Sequence, residues 1–451
     1  MNGAVQFPLG LAELSFTASG DSLVRRTVLP SGVRILSERV PGARSSTIGY
    51  WVAVGSRDEH PDTLGSTHFL EHLLFKGTSS RSALDIAVSF DAVGGEHNAL
   101  TAKEYTCYYA KVQDRDLPMA VEVIADMLTS SLLDPEEFDN EREVILEELA
   151  MADDDPADVA GERLYEAVFG RHPLGRPIGG DATTIGAATR DAVWSHYRAN
   201  YRAQDLVITV AGAVDHDDLV RRIETALTSA EWDPGVQGEP VARRSAEETA
   251  IDRGSPLVVV QRPIEQANVL LGLPGLIASD PRRATMSVLN SVLGGGMSSR
   301  LFQEVREKRG LAYSVYSFAG GYSDAGIVGM YAGCAPAKLD QVTRLMLDEF
   351  SRLAADGITA DELARAVGQL SGASALALED SDTRMSRLGR AELTLGEFTD
   401  LDETLRRLSL VTRDGVRALA ADLLERPLSV AAVGTVDESV LDAIVTREVT
   451  A

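Results

Sequence analysis

The sequence is poor in the residues that define several protein classes. It has 2 cysteines, Cys107 and Cys334, among 451 residues. Two distant cysteines provide neither a disulfide framework nor a CxxC metal site, which fits a reducing compartment. Lys and Arg number 43 against 68 Asp and Glu, so the formal net charge is −25. This deficit of cations argues against nucleic acid as a partner.

Long apolar runs are also missing. No stretch approaches the roughly 20 apolar residues that cross a bilayer, so we expect no membrane partner. The first residues lack a cationic segment followed by an apolar one, and a cytoplasmic location is predicted. A chain of this length is too long for one hydrophobic core and predicts two to four domains.

Histidine is scarce, with 7 in the chain, yet two of them lie four positions apart. His68 and His72 share one face of a predicted helix and can hold one metal ion between them. Glu71 points to nearly the same side, and H-x-x-E-H is a known zinc-hydrolase motif. The alternative is a helix whose histidines lie at a packed, hydrogen-bonded boundary.

The same pattern predicts how this helix begins and ends. A turn-like segment, 65–67, precedes the histidines. Ser66 or Thr67 is expected to cap the helix, because their hydroxyls can accept hydrogen bonds from the first free N–H groups. Gly77 is expected to end it.

Composition divides the chain into segments. Residues 1–22 predict an N-terminal arm with little fixed structure. Residues 23–228 predict a domain that contains the histidine motif. Residues 229–256 are rich in turn formers and polar residues and predict a linker. Residues 257–451 predict a second domain.

Patterns of the first half recur in the second. The strand-like segment 206–215 is echoed by 428–437, and Met286 and Asn290 fall opposite the two motif histidines. The second half contains no histidine, so only the first can hold a metal by this route. We therefore expect an α+β fold of two tandem homologous domains, each a mainly antiparallel sheet packed with helices on one side.

A catalytic metal needs a further protein ligand beyond two histidines. A predicted acidic helix that starts near residue 135 offers several carboxylates, each of which alone would be explained as part of a solvated helix face. The pattern leaves the choice open among Glu141, Glu143, Glu147 and Glu148.

Together these motifs resemble the insulinase/pitrilysin family of zinc metallopeptidases. The nearest branch includes the β subunit of mitochondrial processing peptidase and similar bacterial proteins. The resemblance covers nearly the whole chain. It rests on segments 55–59, 68–78, 94–99, 141–144, 172–175 and 294–302.

The resemblance implies a role for each residue of the first half that carries the motif. It implies that His68, His72 and Glu148 hold one Zn²⁺ per chain. It implies that Glu71 is the general base and not a ligand, and that Glu141 is an auxiliary acid two turns before Glu148.

The resemblance also implies a task for the half without histidines. Arg306 and Tyr313 match an Arg/Tyr pair that contacts the bound substrate or its oxyanion. Judged by residue type alone, Arg306 would be a charged surface residue and Tyr313 an aromatic residue of a strand. Asn98 and Ala99 resemble the strand edge that receives an extended substrate.

The expected function is that of a zinc metalloendopeptidase that cleaves unfolded or extended peptides, in a homodimer implied by the same resemblance. The alternative is a catalytically silent or hetero-oligomeric subunit of a processing-peptidase-like complex. Known silent subunits of this family lack an intact metal set, whereas this chain keeps one.

Overall fold

A computed structural model describes residues 3–229, 232 and 235–446 of the chain. The chain separates into two compact units, each assembled from three segments. Unit 1 holds the residues up to 149 together with 177–243 and 375–403. Unit 2 holds 150–176, 244–374 and the residues from 404 onward. The predicted domain limits follow the sequence repeat and stay a prediction.

The described residues form strands and α-helices in nearly equal number. In chain order the strands are β1 (Val5–Gln6), β2 (Glu13–Ala18), β3 (Ser22–Val28), β4 (Arg34–Arg39), β5 (Ser45–Val52), β6 (Glu96–Thr101), β7 (Thr106–Gln113), β8 (Leu206–Gly212), β9 (Leu257–Gln261), β10 (Ala267–Pro274), β11 (Ala312–Gly321), β12 (Gly326–Cys334), β13 (Glu397–Phe398) and β14 (Ser429–Gly434). The α-helices are α1 (Ser66–Leu74), α2 (Ala83–Asp91), α3 (Leu117–Ser130), α4 (Pro135–Asp154), α5 (Pro156–Phe169), α6 (Ala182–Ala187), α7 (Arg190–Asn200), α8 (His216–Ser229), α9 (Arg283–Gly294), α10 (Leu339–Asp356), α11 (Ala360–Ala377), α12 (Ser381–Arg390), α13 (Leu401–Ser409), α14 (Arg413–Leu424) and α15 (Glu438–Thr446).

The two main sheets share one topology. Unit 1 has a seven-stranded sheet of order β2-β3-β4-β8-β5-β7-β6, and unit 2 has a five-stranded sheet of order β11-β12-β10-β14-β9. The order β4-β8-β5-β7-β6 therefore matches β9-β14-β10-β12-β11. Each series has one parallel pair, β4 with β8 and β9 with β14, and its remaining pairs are antiparallel. This correspondence confirms the predicted α+β fold of two tandem domains.

The prediction that residues 1–22 have little fixed structure is wrong for residues 3–22, and residues 1 and 2 lie outside the described part. β2 extends the seven-stranded sheet by antiparallel pairing with β3, and β1 pairs with β13. Phe7 is fully buried, with its ring 6.3 Å from that of Phe16 and 6.1 Å from that of Phe398. Leu14, Phe16 and Ala18 alternate with exposed polar residues along β2, so the strand buries one face while β3 completes its hydrogen bonds.

The larger helical layer of unit 1 lies on one face of its sheet, as predicted. Buried residues of α1, α3 and α8 join those of β5 and β7 in one core. The opposite face is covered by α12, whose Met385 and Leu388 pack with Trp51. This helix approaches closely because Gly389 has no side chain; a Cβ there would lie 2.3 Å from the Trp51 ring. In unit 2, α5 covers the corresponding face of the five-stranded sheet.

The predicted linker, 229–256, contains neither helix nor strand over 235–256. Residues 230, 231, 233 and 234 of this segment lie outside the described part. Among the described residues, the structure has no α-helix of the length and apolar character needed to cross a membrane.

One buried histidine links folding to pH. His216, at the start of α8, is 5% exposed, with Nδ1 2.8 Å from Ser37 Oγ and Nε2 2.9 Å from Thr27 Oγ1. Burial, assisted by the positive charge of Arg25, lowers the pKa of His216 to about 4. The folded chain therefore keeps this imidazole neutral at pH values where an exposed histidine, with a pKa near ~6.5, is charged.

We expect acid to destabilise the fold through His216. Between pH 6.5 and 4 the unfolded chain binds the extra proton, so the free energy of unfolding falls as the pH drops, by up to about 3 kcal/mol for this group. His216→Gln should reduce the slope of unfolding free energy against pH in this window, measured by urea unfolding at several pH values. His60→Gln, at an exposed histidine, is the control. Parallel curves for His216→Gln and the parent would contradict the assignment.

Candidate metal centre

Helix α1 presents two imidazoles beside a buried face. Phe69, Leu70, Leu73 and Leu74 are fully buried in the core of unit 1. His68 and His72 lie at the boundary of that core, with side chains 21% and 15% exposed. A nine-residue helix is marginal by itself, so this burial is what keeps the two histidines in place.

The N-terminus of α1 is capped by a carboxylate from outside the helix. Glu59, which is 4% exposed, accepts hydrogen bonds from the N–H groups of Gly65 at 2.8 Å and Thr67 at 2.6 Å. A buried anion at this end also favours the helix dipole. The prediction that Ser66 or Thr67 caps the helix is wrong, because Gly65 takes the N-cap position with a φ of +88°.

The predicted end of α1 is nearly correct. The helix ends at Leu74, and Phe75 takes the C-cap position. Gly77 follows with a φ of +120°, in the left-handed region that favours glycine. The glycine therefore lies just beyond the helix.

Helix α4 lies beside α1. The ring of Phe138 stacks on that of Phe69, with centroids 4.3 Å apart and planes 9° from parallel. Ile145, seven residues further along α4, is fully buried in the same core. Because Glu141 and Glu148 are also seven residues apart and flank Ile145 at helical spacing, both lie on the face of α4 that meets α1.

The three residues predicted as metal ligands converge. His72 Nε2 lies 3.3 Å from His68 Nε2, and Glu148 Oε2 lies 3.4 Å from His72 Nε2 and 3.8 Å from His68 Nε2. Tetrahedral zinc with ligands at ~2.0–2.1 Å requires neighbouring donor atoms roughly 3.3 Å apart. The separations in this cluster therefore fit a zinc ion, and all three donor atoms lie within 4.8 Å of one another.

The protonation of the histidines also suits a metal. Burial, together with the neighbouring His72, lowers the pKa of His68 to about 4. A neutral imidazole is the form that ligates. His72 Nδ1 lies 2.9 Å from Glu141 Oε2, and donation of its proton to that oxygen leaves the Nε2 lone pair facing Glu148. His68 Nδ1 is buried and has no hydrogen-bond partner in the described part of the chain.

The Glu71 side chain lies beside the cluster, on the side of α1 that faces strand β6. Its Oε2 accepts a short hydrogen bond from Thr101 Oγ1, a residue that is 7% exposed. Burial raises the pKa of Glu71 above its usual value. Sequence reasoning gave Thr101 no role, although the two-residue period of a strand places it on the same face as Ala99.

Two further charged residues complete this region of unit 1. Glu141, 4% exposed, lies between His72 and Lys76, whose Nζ is 2.5 Å from Glu141 Oε1. Lys76 has no function predicted from the sequence, and its place four residues after His72 was the available signal.

The predicted substrate edge is the terminal strand of the seven-stranded sheet. Asn98 and Ala99 lie in β6 and pair with Tyr109 and Tyr108 of β7. The Asn98 side chain accepts a hydrogen bond from the N–H of Ala99. A terminal strand has one row of backbone groups outside the ladder, which is where an extended peptide can add.

Arg306 and Tyr313 lie in unit 2, where the structure brings them into contact. Arg306 belongs to a π-helical segment, Phe302–Glu307, and Tyr313 to β11. The guanidinium carbon lies 4.7 Å from the centroid of the Tyr313 ring and 4.8 Å from that of Phe302. The two predicted residues line a pocket of about 360 Å³ together with Gln266, Gly310, Leu311, Ala312, Gly333, Cys334 and Ala335.

Family profiles match both halves of the chain. Residues 34–182 match "Insulinase (Peptidase family M16)", and residues 187–370 match "Peptidase M16 inactive domain". An uncharacterized zinc protease of Streptomyces coelicolor is 51% identical over 92% of this chain and 90% of its own length. The zinc protease YmxG of Bacillus subtilis is 39% identical over 91% of this chain and 98% of its own length.

Solved structures show the same fold. A peptidase M16 inactive domain from Pseudomonas fluorescens superposes with a TM-score of 0.81 at 20% identity. The superposition covers 95% of this chain and 99% of that one. Both halves match the family profiles, and the full-length relatives are similar over most of their length. The chain therefore belongs to the insulinase family of peptidases, M16.

Proposed function

We propose that this chain is a zinc-dependent endopeptidase that hydrolyses unfolded or extended peptides. The observation that carries the proposal is the convergence of His68, His72 and Glu148 at separations suited to one tetrahedral ion. Two imidazoles and one carboxylate leave a fourth position open, as in catalytic zinc sites and unlike structural ones. The zinc-protease relatives support the choice of metal.

The chemistry divides between the metal and Glu71. Zn²⁺ bound by these ligands supplies Lewis-acid chemistry, because it lowers the pKa of a bound water and polarises a carbonyl. Glu71 would accept a proton from the attacking water and later deliver it to the leaving amine. The hydrogen bond from Thr101 Oγ1 to Glu71 Oε2 would hold this carboxylate in place.

The substrate would be held by backbone pairing and by the second half of the chain. β6 offers Asn98 and Ala99 on a terminal strand, where pairing selects extended chains more than particular side chains. In unit 2, Arg306 stacks between two aromatic rings, which orients its N–H donors. We propose that Arg306 and Tyr313 donate hydrogen bonds to the substrate or to the oxyanion that forms during hydrolysis.

A catalytically silent subunit is the less favoured alternative. A subunit without activity would not need the three proposed zinc ligands, the buried Glu71 and the Arg306–Tyr313 pair together. The homodimer and the cytoplasmic location stay predictions.

We expect Glu148→Gln to weaken zinc binding. The amide oxygen is a poorer ligand than the carboxylate, and losing one of three protein ligands should lower the zinc content of the purified protein well below one ion per chain. Glu147→Gln is the matched control, on the adjacent exposed position of α4. Elemental analysis after dialysis measures both. Equal zinc contents for the two variants would contradict the assignment of Glu148.

We expect Glu71→Gln to keep zinc and lose turnover. An amide cannot take a proton from water. The kcat for cleavage of an unstructured peptide should therefore fall by about 10²–10⁴-fold. Zinc content should remain that of the parent, since Glu71 is not a proposed ligand. A peptide-library digest followed by mass spectrometry measures the cleavage, and parental rates would overturn the assignment of the base.

We expect Arg306→Ala combined with Tyr313→Phe to slow cleavage without releasing zinc. Loss of donors to an oxyanion typically lowers kcat by about 10²–10³-fold. Arg309→Ala is the control, because Arg309 is a nearby exposed cation that pairs with Glu304. Unchanged kcat in the double variant would remove these two residues from the active site.

A further inference from the structure

A chain of three side chains leads away from the metal cluster. His72 Nδ1 is 2.9 Å from one oxygen of Glu141, and Lys76 Nζ is 2.5 Å from the other. The Glu141 side chain is 5% exposed and that of Lys76 is 30% exposed. The carboxylate is therefore removed from water and pairs with a cation whose side chain is partly exposed.

The two carboxylate oxygens of Glu141 contact different residues. Oε2 faces His72 Nδ1, so it fixes the ring orientation and keeps the imidazole proton on the nitrogen away from the metal cluster. Oε1 faces Lys76. Since a carboxylate is a rigid plane, an ion pair on one oxygen restricts where the other points. Burying a carboxylate also costs free energy unless a cationic partner lies close to it.

The place of Lys76 in the chain suits this task. It lies four residues after His72, just beyond the end of α1, and its N–H donates to Leu73 O at 3.1 Å. A cation at the C-terminus of a helix is favoured by the helix dipole. Lys76 is thus anchored to the same helix that carries both histidines.

We propose that Lys76 is a positioning residue for the metal site, acting through Glu141 to orient His72 and to strengthen its binding of zinc. This inference rests on the proposed zinc site. It assigns a function to a partly buried ion pair that would otherwise be explained as a contact that stabilises the fold.

The first experiment separates metal positioning from general stability. Lys76→Met keeps most of the aliphatic stem and removes the charge. We expect the zinc dissociation constant, measured by competition of the apoprotein with a chelating indicator, to rise by about tenfold, the lower end of the effect of losing such a partner. Because Lys76→Met leaves the buried Glu141 carboxylate without its cation, we expect the apoprotein to melt at a lower temperature, and zinc affinity is measured below that transition, where every variant is folded. Lys76→Arg, which keeps the charge, should restore an affinity within about threefold of the parent.

Lys111→Met is a closely matched control. Lys111 also belongs to unit 1, pairs with a carboxylate at 2.7 Å and has a side chain 31% exposed. The zinc affinity of the Lys111→Met variant should equal that of the parent protein. If Lys76→Met does not fold, Lys76→Gln, which keeps a polar end, is used in the same measurement.

The second experiment tests whether Lys76 acts through Glu141. We expect Glu141→Gln to weaken zinc binding about 10- to 100-fold, and Lys76→Met to add little in the Glu141→Gln background, since residues acting in one network are not additive. Additive losses, or a Lys76→Met variant with parental affinity, would overturn the inference while leaving the peptidase proposal intact. A parent protein that binds no zinc would overturn both.

Discussion

The metal cluster depends on the contact between two helices that are far apart in sequence. α1 is short and carries both imidazoles, whereas α4 carries the carboxylates. The stacked rings of Phe69 and Phe138 and the buried Ile145 set how α4 lies against α1. Because Glu141 and Glu148 lie at helical spacing on either side of Ile145, this packing places both carboxylates beside the two histidines, Glu141 buried and Glu148 exposed. Hydrophobic contact thus determines the geometry of a polar site.

Both ends of α1 are held by charge. Glu59 caps the N-terminus from a loop, and Lys76 lies just past the C-terminus, each with the sign that the helix dipole favours. Between them, Glu141 joins His72 to Lys76. Fixed ends hold the two histidines in place, because fraying of either end of this short helix would move one of them.

The two halves of the chain share one sheet topology, but only the first half carries histidines on the helix at this place in the repeat. The two sheets share strand order and a single parallel pair, so the histidine helix α1 and its counterpart α9 arise from equivalent places in the repeat. In α9 the equivalent of His68 is Met286, which is 6% exposed and belongs to the core of unit 2. The sheet and helical layer of unit 2 therefore form with a packing residue where the first half carries His68.

The sequence by itself determined the features that depend on local spacing. The i, i+4 histidines, the strands, the repeat and the metal-less second half follow from periodicities of 3.6 and 2 that neighbouring residues set. Tertiary structure alone decided the rest. Four glutamates on one helix are equivalent until packing turns two of them towards α1. The cap at Gly65 comes from Glu59 and the hydrogen bond to Glu71 from Thr101, and both partners approach only after the chain folds back. The segment of β2 was expected to lack structure although Leu14, Phe16 and Ala18 alternate with polar residues. It is ordered because β3 supplies backbone hydrogen bonds that the sequence alone does not reveal.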